Sequence, residues 1–448
     1  MKKNNFLFFL LFIALFFTIF SCKKSSSTTD PTEVVPPNVF NGSIYIYSQG
    51  NDTTLQRFLD GKYNTIKGNL VLSTSDVIDY NKYFINLQMI KGSVTLYKIP
   101  NKDLSFLSSL RSILGNFQVS FCPELNSFSG VTALDTIGSA LILERSPKFT
   151  SFNGLERVLK ISSLTVSQNP SIGSLSGLQN IATITGSLTV TQNPVLTSLI
   201  GLTGLTSVGG DLIVSDNLSF TGFSGLANLL EVKGSLFLTS LPKMTSLANL
   251  TPVNDTITSI SIIDCNGLTN LTGLQNIPCI KNNLYVVACN NLENLTGLTK
   301  IDTIKGGVVF SKLEKLNSFT GLHGVKYIKK DVRISECNNL VGLSGFTLLD
   351  SIGGGFLVQD NEKLVNFSGF SRTKTVRGKI EILDNNSLKT LDGLENLKNA
   401  RSSLDIYYNG SLTGYCAIKS MTLTGTAYIG QNLFNPTWSQ LKAGDCSR

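Results

Sequence analysis

Residues Leu164–Leu178 read LTVSQNPSIGSLSGL, and the rest of the chain is organised around this stretch. Taking Asn169 as an anchor, the equivalent positions are Cys122, Ser146, Asn193, Asn217, Leu241, Cys265, Cys289, Leu313, Cys337, Asn361, Asn385 and Asn409. Neighbouring anchors are 24 residues apart, except for 23 between Ser146 and Asn169. A fixed period of this length belongs to a solenoid, whose coils bury their apolar faces only by stacking. Function must therefore come from a long repetitive surface.

Within one coil, Leu164 and Val166 alternate with Thr165 and Ser167, as in a short strand with its apolar side inward. Ile172, Leu175, Leu178, Ile181 and Ile184 follow at intervals of three, which suits a tightly turning three-sided coil better than a helix. Gly177 recurs as Gly130, Gly154, Gly201, Gly225, Gly273, Gly297, Gly321, Gly345, Gly369 and Gly393, with Asn249 and Ala417 as exceptions. That glycine implies a turn with positive φ or a close approach between coils. Buried anchor asparagines are expected to form a ladder through turn amides. Cys122, Cys265, Cys289 and Cys337 stand in for asparagine there, so they read as scaffold. Cys265 and Cys289 fall in adjacent coils, but no Cys-x-x-Cys spacing supports a metal site. Leu241 and Leu313 should interrupt the ladder. Earlier strands are expected at Ile44–Ile46, Leu70–Leu72 and Val94–Leu96.

The ends carry different information. Lys2 and Lys3 precede an apolar run from Phe6 to Phe20, too short for a comfortable membrane span and right for a secretory signal. The run ends in Ile19-Phe20-Ser21-Cys22, which resembles the lipobox of bacterial lipoproteins. That resemblance implies cleavage after residue 21, lipid on Cys22 and an outer-membrane lipoprotein, periplasmic or surface-exposed. Residues 22–39 have the Ser/Thr/Pro composition of a flexible tether. The solenoid is expected over 40–415 and a cap over 416–448, closed by a Cys416–Cys446 disulfide in an oxidising envelope.

The formal charge is +8, or +6 once Lys2 and Lys3 leave with the signal. Over so long a surface this is a mild bias, with no dense basic stripe interleaved with aromatics, so no nucleic-acid partner is expected. His323 is the sole histidine and has no matched nucleophile, so the chain is not expected to be an enzyme or to need a cofactor. Gly353-Gly354-Gly355 lacks the Lys-Ser/Thr that follows in a phosphate loop.

The segment SLTVSQNPSIGSLSGLQNIATITGSLTV (163–190) resembles the leucine-rich-type repeats of receptor L domains, which also occur in envelope lipoproteins of Bacteroidetes-like bacteria. The resemblance covers about Phe40 to Asn435. It implies an all-β, right-handed, leucine-rich-repeat-like solenoid with a C-terminal cap, and a binding role. The expected protein is a monomeric, lipid-anchored envelope protein that binds a protein or glycan ligand. A structural envelope protein without a ligand is the alternative. A polysaccharide-acting enzyme using Arg333, Glu381 and Asp405 comes third. Two surface features stand out: outward apolar residues Phe237, Ile263, Tyr285, Val287 and Val309, and an acidic column of Glu336, Asp360 and Asp384 as a calcium candidate.

Overall fold

A computed structural model of the chain describes residues 38–47, 53–250, 253 and 256–448. The expected signal peptide, Cys22 and the tether up to residue 37 lie outside the described residues. From Val39 onward the chain is a β-solenoid. Seventeen strands, from Ile44–Ile46 to Ala427–Gly430, form one long parallel sheet in chain order. The strands expected near residues 44, 70 and 94 are present as Ile44–Ile46, Leu70–Ser73 and Val94–Tyr97. A second face carries two-residue strands, such as Thr183–Ile184, stacked in parallel runs of five, four and seven. Leu164, Val166, Ile172, Leu175, Leu178, Ile181 and Ile184 are each at most 1% exposed, so every side of the coil feeds one core. Such burial stabilises by about 1.5–3 kcal/mol per large aliphatic side chain, repeated coil after coil.

The repeated glycine meets both requirements. At Gly201 φ is +113°, and a Cβ would lie 2.1 Å from the Leu175 carbonyl carbon of the preceding coil. Where the glycine is missing, the chain uses a different turn. Phe106, Asn249 and Ala417 each sit at the centre of a 3₁₀ helix: Ser105–Leu107, Ala248–Leu250 and Cys416–Ile418. A side chain at this position is thus accommodated by a 3₁₀ turn in place of the left-handed one.

Two elements depart from the expected coil. Helices α1 (Thr53–Asp60) and α2 (Asn81–Phe84) occupy the first coils, where repeats were read as helix-free. They bury Leu55, Phe58 and Phe84, with Phe58 packed on both Phe40 and Phe84, and replace the turn side of the first coils. The second departure is the boundary expected at 415. Strands Thr422–Leu423 and Ala427–Gly430 pair with Asn399–Ala400 and Leu404–Tyr407, so the solenoid continues into the segment read as cap.

The cap itself is built from α3 (Trp438–Ala443), which Thr437 and Gln440 close with a reciprocal capping box. Leu441 seals the core, and the Tyr415 hydroxyl donates to the Phe434 carbonyl at 2.7 Å. Cys416 and Cys446 are joined, 4.9 Å apart at Cα, as expected from the sequence. Their sequence separation is 30, for which loop-closure entropy gives about 3–4 kcal/mol. Cys446→Ser should therefore lower the denaturant midpoint by that equivalent and make the residues after Met421 the first cleaved in limited proteolysis.

Candidate functional site

Scaffold positions have to be separated from surface that is free to bind. The anchor asparagines form the expected ladder. The Asn169 amide N–H donates to Asn193 Oδ1 at 3.0 Å, and Asn193 N–H donates to Asn217 Oδ1 at 2.8 Å. Each Nδ2 turns back to a carbonyl of the preceding coil, as Asn193 does to Val166 at 3.0 Å. A second run links Cys337, Asn361, Asn385, Asn409 and Asn432, and Asn435 ends it by accepting from Asn432 N–H at 2.9 Å. Asn432 extends the ladder one coil beyond the sequence reading.

The four anchor cysteines are buried free thiols that point S–H at backbone carbonyls. Burial pushes the Cys122 thiol up to about 11 and the Cys337 thiol up to about 12. The hydrogen bond to Cys289 raises Cys265. Cys122, Cys265 and Cys337 are thus inert thiols, consistent with scaffold, while the hydrogen bond from Cys265 lowers its partner Cys289. A cysteine of the unfolded chain titrates near 9. Folded pKa values above the unfolded one mean stability that is fully present below about pH 9 and is lost as pH rises toward 11–12. Urea midpoints at constant ionic strength should fall steadily across that window, at roughly 1.4 kcal/mol per pH unit for each such thiol.

The outward face of the main sheet keeps strict register. One column runs Phe237, Ser261, Tyr285, Val309, Arg333, Leu357, Glu381, Asp405 and Tyr428. Beside it run Thr239, Ile263, Val287 and Ser311. The five expected apolar residues therefore do form one patch. Each is half-buried, and Ser261 is buried between the Phe237 and Tyr285 rows, so the surface is closed and shallow.

Further along the column, Lys379 Nζ contacts Glu381 Oε1 at 2.8 Å and Asp405 Oδ2 at 2.7 Å. Asp405 and Glu381 hold the Lys379 ammonium above the usual lysine range. Asp405 Oδ1 is buried without a partner. With both carboxylates engaged by one ammonium, this cluster is arranged as an ion-pair triad rather than as an acid and base facing a substrate bond. His323 is exposed on its turn.

The acidic column has a backbone explanation. The residue before every anchor lies in the left-handed region, from Lys98 (φ 57°) through Glu336, Asp360 and Asp384 (55°, 55° and 56°) to Gln431 (56°). Side chains without β-branching tolerate this conformation, and Asp does so better than most. Asp216 and Asp264 occupy the same position in earlier coils. Among the described residues, no group of three or more His, Cys, Asp or Glu is placed to hold a metal ion. The calcium reading is therefore dropped.

Two features escaped the sequence reading. One is a second ladder just before each main strand, where Ser187 accepts from Asp211 N–H, Asp211 from Ser235 N–H, Asn283 from Gly307 N–H and Asp331 from Gly355 N–H. At Gly307, Gly355 and Lys379 the small polar residue is gone. Together with Gly354 and Gly378, its loss at Gly355 and Lys379 opens a hollow of about 360 Å³, bordered by Asp331, Arg333, Leu357, Lys379 and Glu381.

The other feature is a column of basic residues. Lys281, Lys305, Lys329, Arg377 and Arg401 each follow the end of a short strand in the seven-stranded run. Their amides keep the register, with Lys305, Lys329, Arg377 and Arg401 N–H donating to Ile280, Ile304, Ile352 and Val376 carbonyls. All five side chains are exposed on one corner, about 4.8 Å apart per coil, with a gap at Gly353. Basic residues 24 positions apart are sparse in sequence but become neighbours in space on either side of Gly353.

Sequence comparison finds no family model that matches this chain, and no match among curated proteins.

Proposed function

We propose that the chain is a non-catalytic, lipid-anchored envelope protein of the receptor L-domain-like kind, which binds a glycan or protein ligand on its solenoid. The observation that carries this reading is where the repeat departs from itself. Through the middle coils the outward positions are Thr165, Ser167, Thr189 and Thr191, a bland pleated surface. From Ile213 onward the same positions become largely aromatic and aliphatic, then charged, while the inward residues continue unchanged. A scaffold alone gives no reason for the outer face to differ between coils that stack identically. The anchor is supported by Lys2, Lys3, the apolar run Phe6–Phe20 and Cys22. A surface so shallow fits an extended ligand laid across several coils better than an enclosed small molecule.

Two measurements test it. Palmitate labelling in cells should mark the wild-type protein and not Cys22→Ser. A glycan and protein binding screen of the soluble chain should give a saturable ligand, weakened at least about tenfold by Phe237→Ser with Tyr285→Ser, the scale of losing one interface hot spot. A folded double variant with every interaction unchanged would retire this face as the binding surface.

A further inference from the structure

We infer that the basic corner and the triglycine hollow form one site for an acidic polysaccharide that carries a carboxylate on successive sugars. The inference rests on the binding reading above and names its ligand class.

The first argument is electrostatic. Some basic residues are balanced between neighbouring coils: Lys148 meets Glu124 at 2.7 Å and Lys374 meets Asp350 at 2.9 Å. Lys281, Lys305, Lys329, Arg377 and Arg401 make no ion pair among the described residues, and Lys329 lies over the Tyr327 ring at 4.8 Å. Like charges stacked at strand spacing repel one another. A column of cations held in register without counter-charges is a binding site for an external polyanion.

The second argument is shape. The column is interrupted at Gly353, and Gly354 and Gly355 continue the gap onto the sheet face. Gly354 is required by the scaffold, because a Cβ there would lie 2.2 Å from Asp331 Oδ1. At Gly355 a Cβ would lie 3.2 Å from the Lys379 carbonyl oxygen, a tight contact, and Gly307 is also glycine at this place, whereas other coils carry Ser187 or Asn283. The hollow therefore exposes main chain at Gly355, where most other coils present a small polar side chain. Arg333 and Lys379 line it, and Lys330 and Arg377 adjoin its lining residues Asp331 and Gly378 along the chain.

Chemistry selects the occupant. Arg333 has only a long contact of 3.8 Å to Asp331, which leaves its planar fork open to a carboxylate. Leu357 offers an apolar seat for the C–H face of a sugar ring, while Asp331 and Glu381 are acceptors for sugar hydroxyls. The same acidic groups disfavour a densely charged phosphate backbone, whose charges recur at roughly 3.4 Å per strand in duplex DNA. An extended peptide would need free backbone partners, and along this face the strand amides and carbonyls are already paired between coils. One anionic group per sugar instead matches one cation per coil.

The test is calorimetry on the full mature chain with a galacturonate hexamer, its methyl ester, a neutral glucan oligomer, single-stranded DNA and a glutamate-rich peptide. The galacturonate hexamer should bind, its ester and the glucan should not, and affinity should fall as salt rises. Lys305→Gln with Arg377→Gln should weaken binding about tenfold or more. Gly355→Ser, which restores the residue type of most other coils, should also weaken it, with circular dichroism and the urea midpoint confirming that the variant is folded. Absent galacturonate binding, binding indifferent to these variants, or tighter binding of the peptide or DNA would overturn the assignment. If another ligand then binds through Phe237 and Tyr285, the general binding reading survives and only this site fails. If galacturonate binds at the basic corner and nothing depends on Phe237 and Tyr285, the apolar face fails instead.

Discussion

Gly201→Ala should lose about 4 kcal/mol or more of stability, among the largest single-residue effects in the chain. Two penalties coincide there. The backbone is at φ +113°, which an L side chain rarely adopts, and strain of that kind costs about 1–3 kcal/mol. The new methyl would also sit 2.1 Å from the Leu175 carbonyl group, a distance no rotamer change relieves because the obstacle is main chain. The coils would have to separate, disturbing packing on both sides. Gly173→Ala is the control: no atom lies within 4 Å of its Cβ, and it should move the urea midpoint by less than about 0.5 kcal/mol. Equal effects at the two positions would mean that coil-to-coil contact is not what the repeated glycine provides.

Asn193→Ala should be nearly as damaging, at about 3–5 kcal/mol. The substitution removes the acceptor of Asn169 N–H and the donor to the Val166 and Thr191 carbonyls, all inside the stack. Leaving each buried polar group unpaired costs about 1–3 kcal/mol. Asn193→Cys should recover part of the loss, because thiols already fill this position in four coils with hydrogen bonds of 3.5–3.8 Å to carbonyls. Denaturant unfolding with amide exchange at Asn169 would separate the outcomes. An exchange rate at Asn169 unchanged by Asn193→Ala would show that the ladder contributes nothing.

Most of the coil was legible because one residue type recurs at one place: leucine at 164, asparagine at 169, glycine at 177. The turn at Phe106, Asn249 and Ala417 was visible only as a missing glycine, since nothing in a single residue announces a 3₁₀ alternative. The second ladder was hidden because serine, asparagine and aspartate share it, and all three supply the same acceptor. The basic corner was hidden for the opposite reason. Charge was judged along the chain, where Lys281 and Lys305 are far apart, although stacking makes them immediate neighbours. The acidic column was legible as a column and misread as chemistry, because its left-handed backbone cannot be seen in composition. Helix α1 could have been suspected from Leu55, Phe58 and Leu59, whose spacing of three and four residues departs from the coil pattern.

Each coil meets its neighbours only through interfaces that are the same on both sides. A deletion of 24 residues, from Pro170 to Asn193, would bring Asn169 against Asn217 with strands, glycine turn and core all realigned. The chain can therefore lengthen or shorten by whole coils without inventing new contacts, and every such step adds or removes one element of each surface column. A lineage could tune how long a ligand the protein grips by copying or dropping coils, a change in valence reached without altering any binding residue.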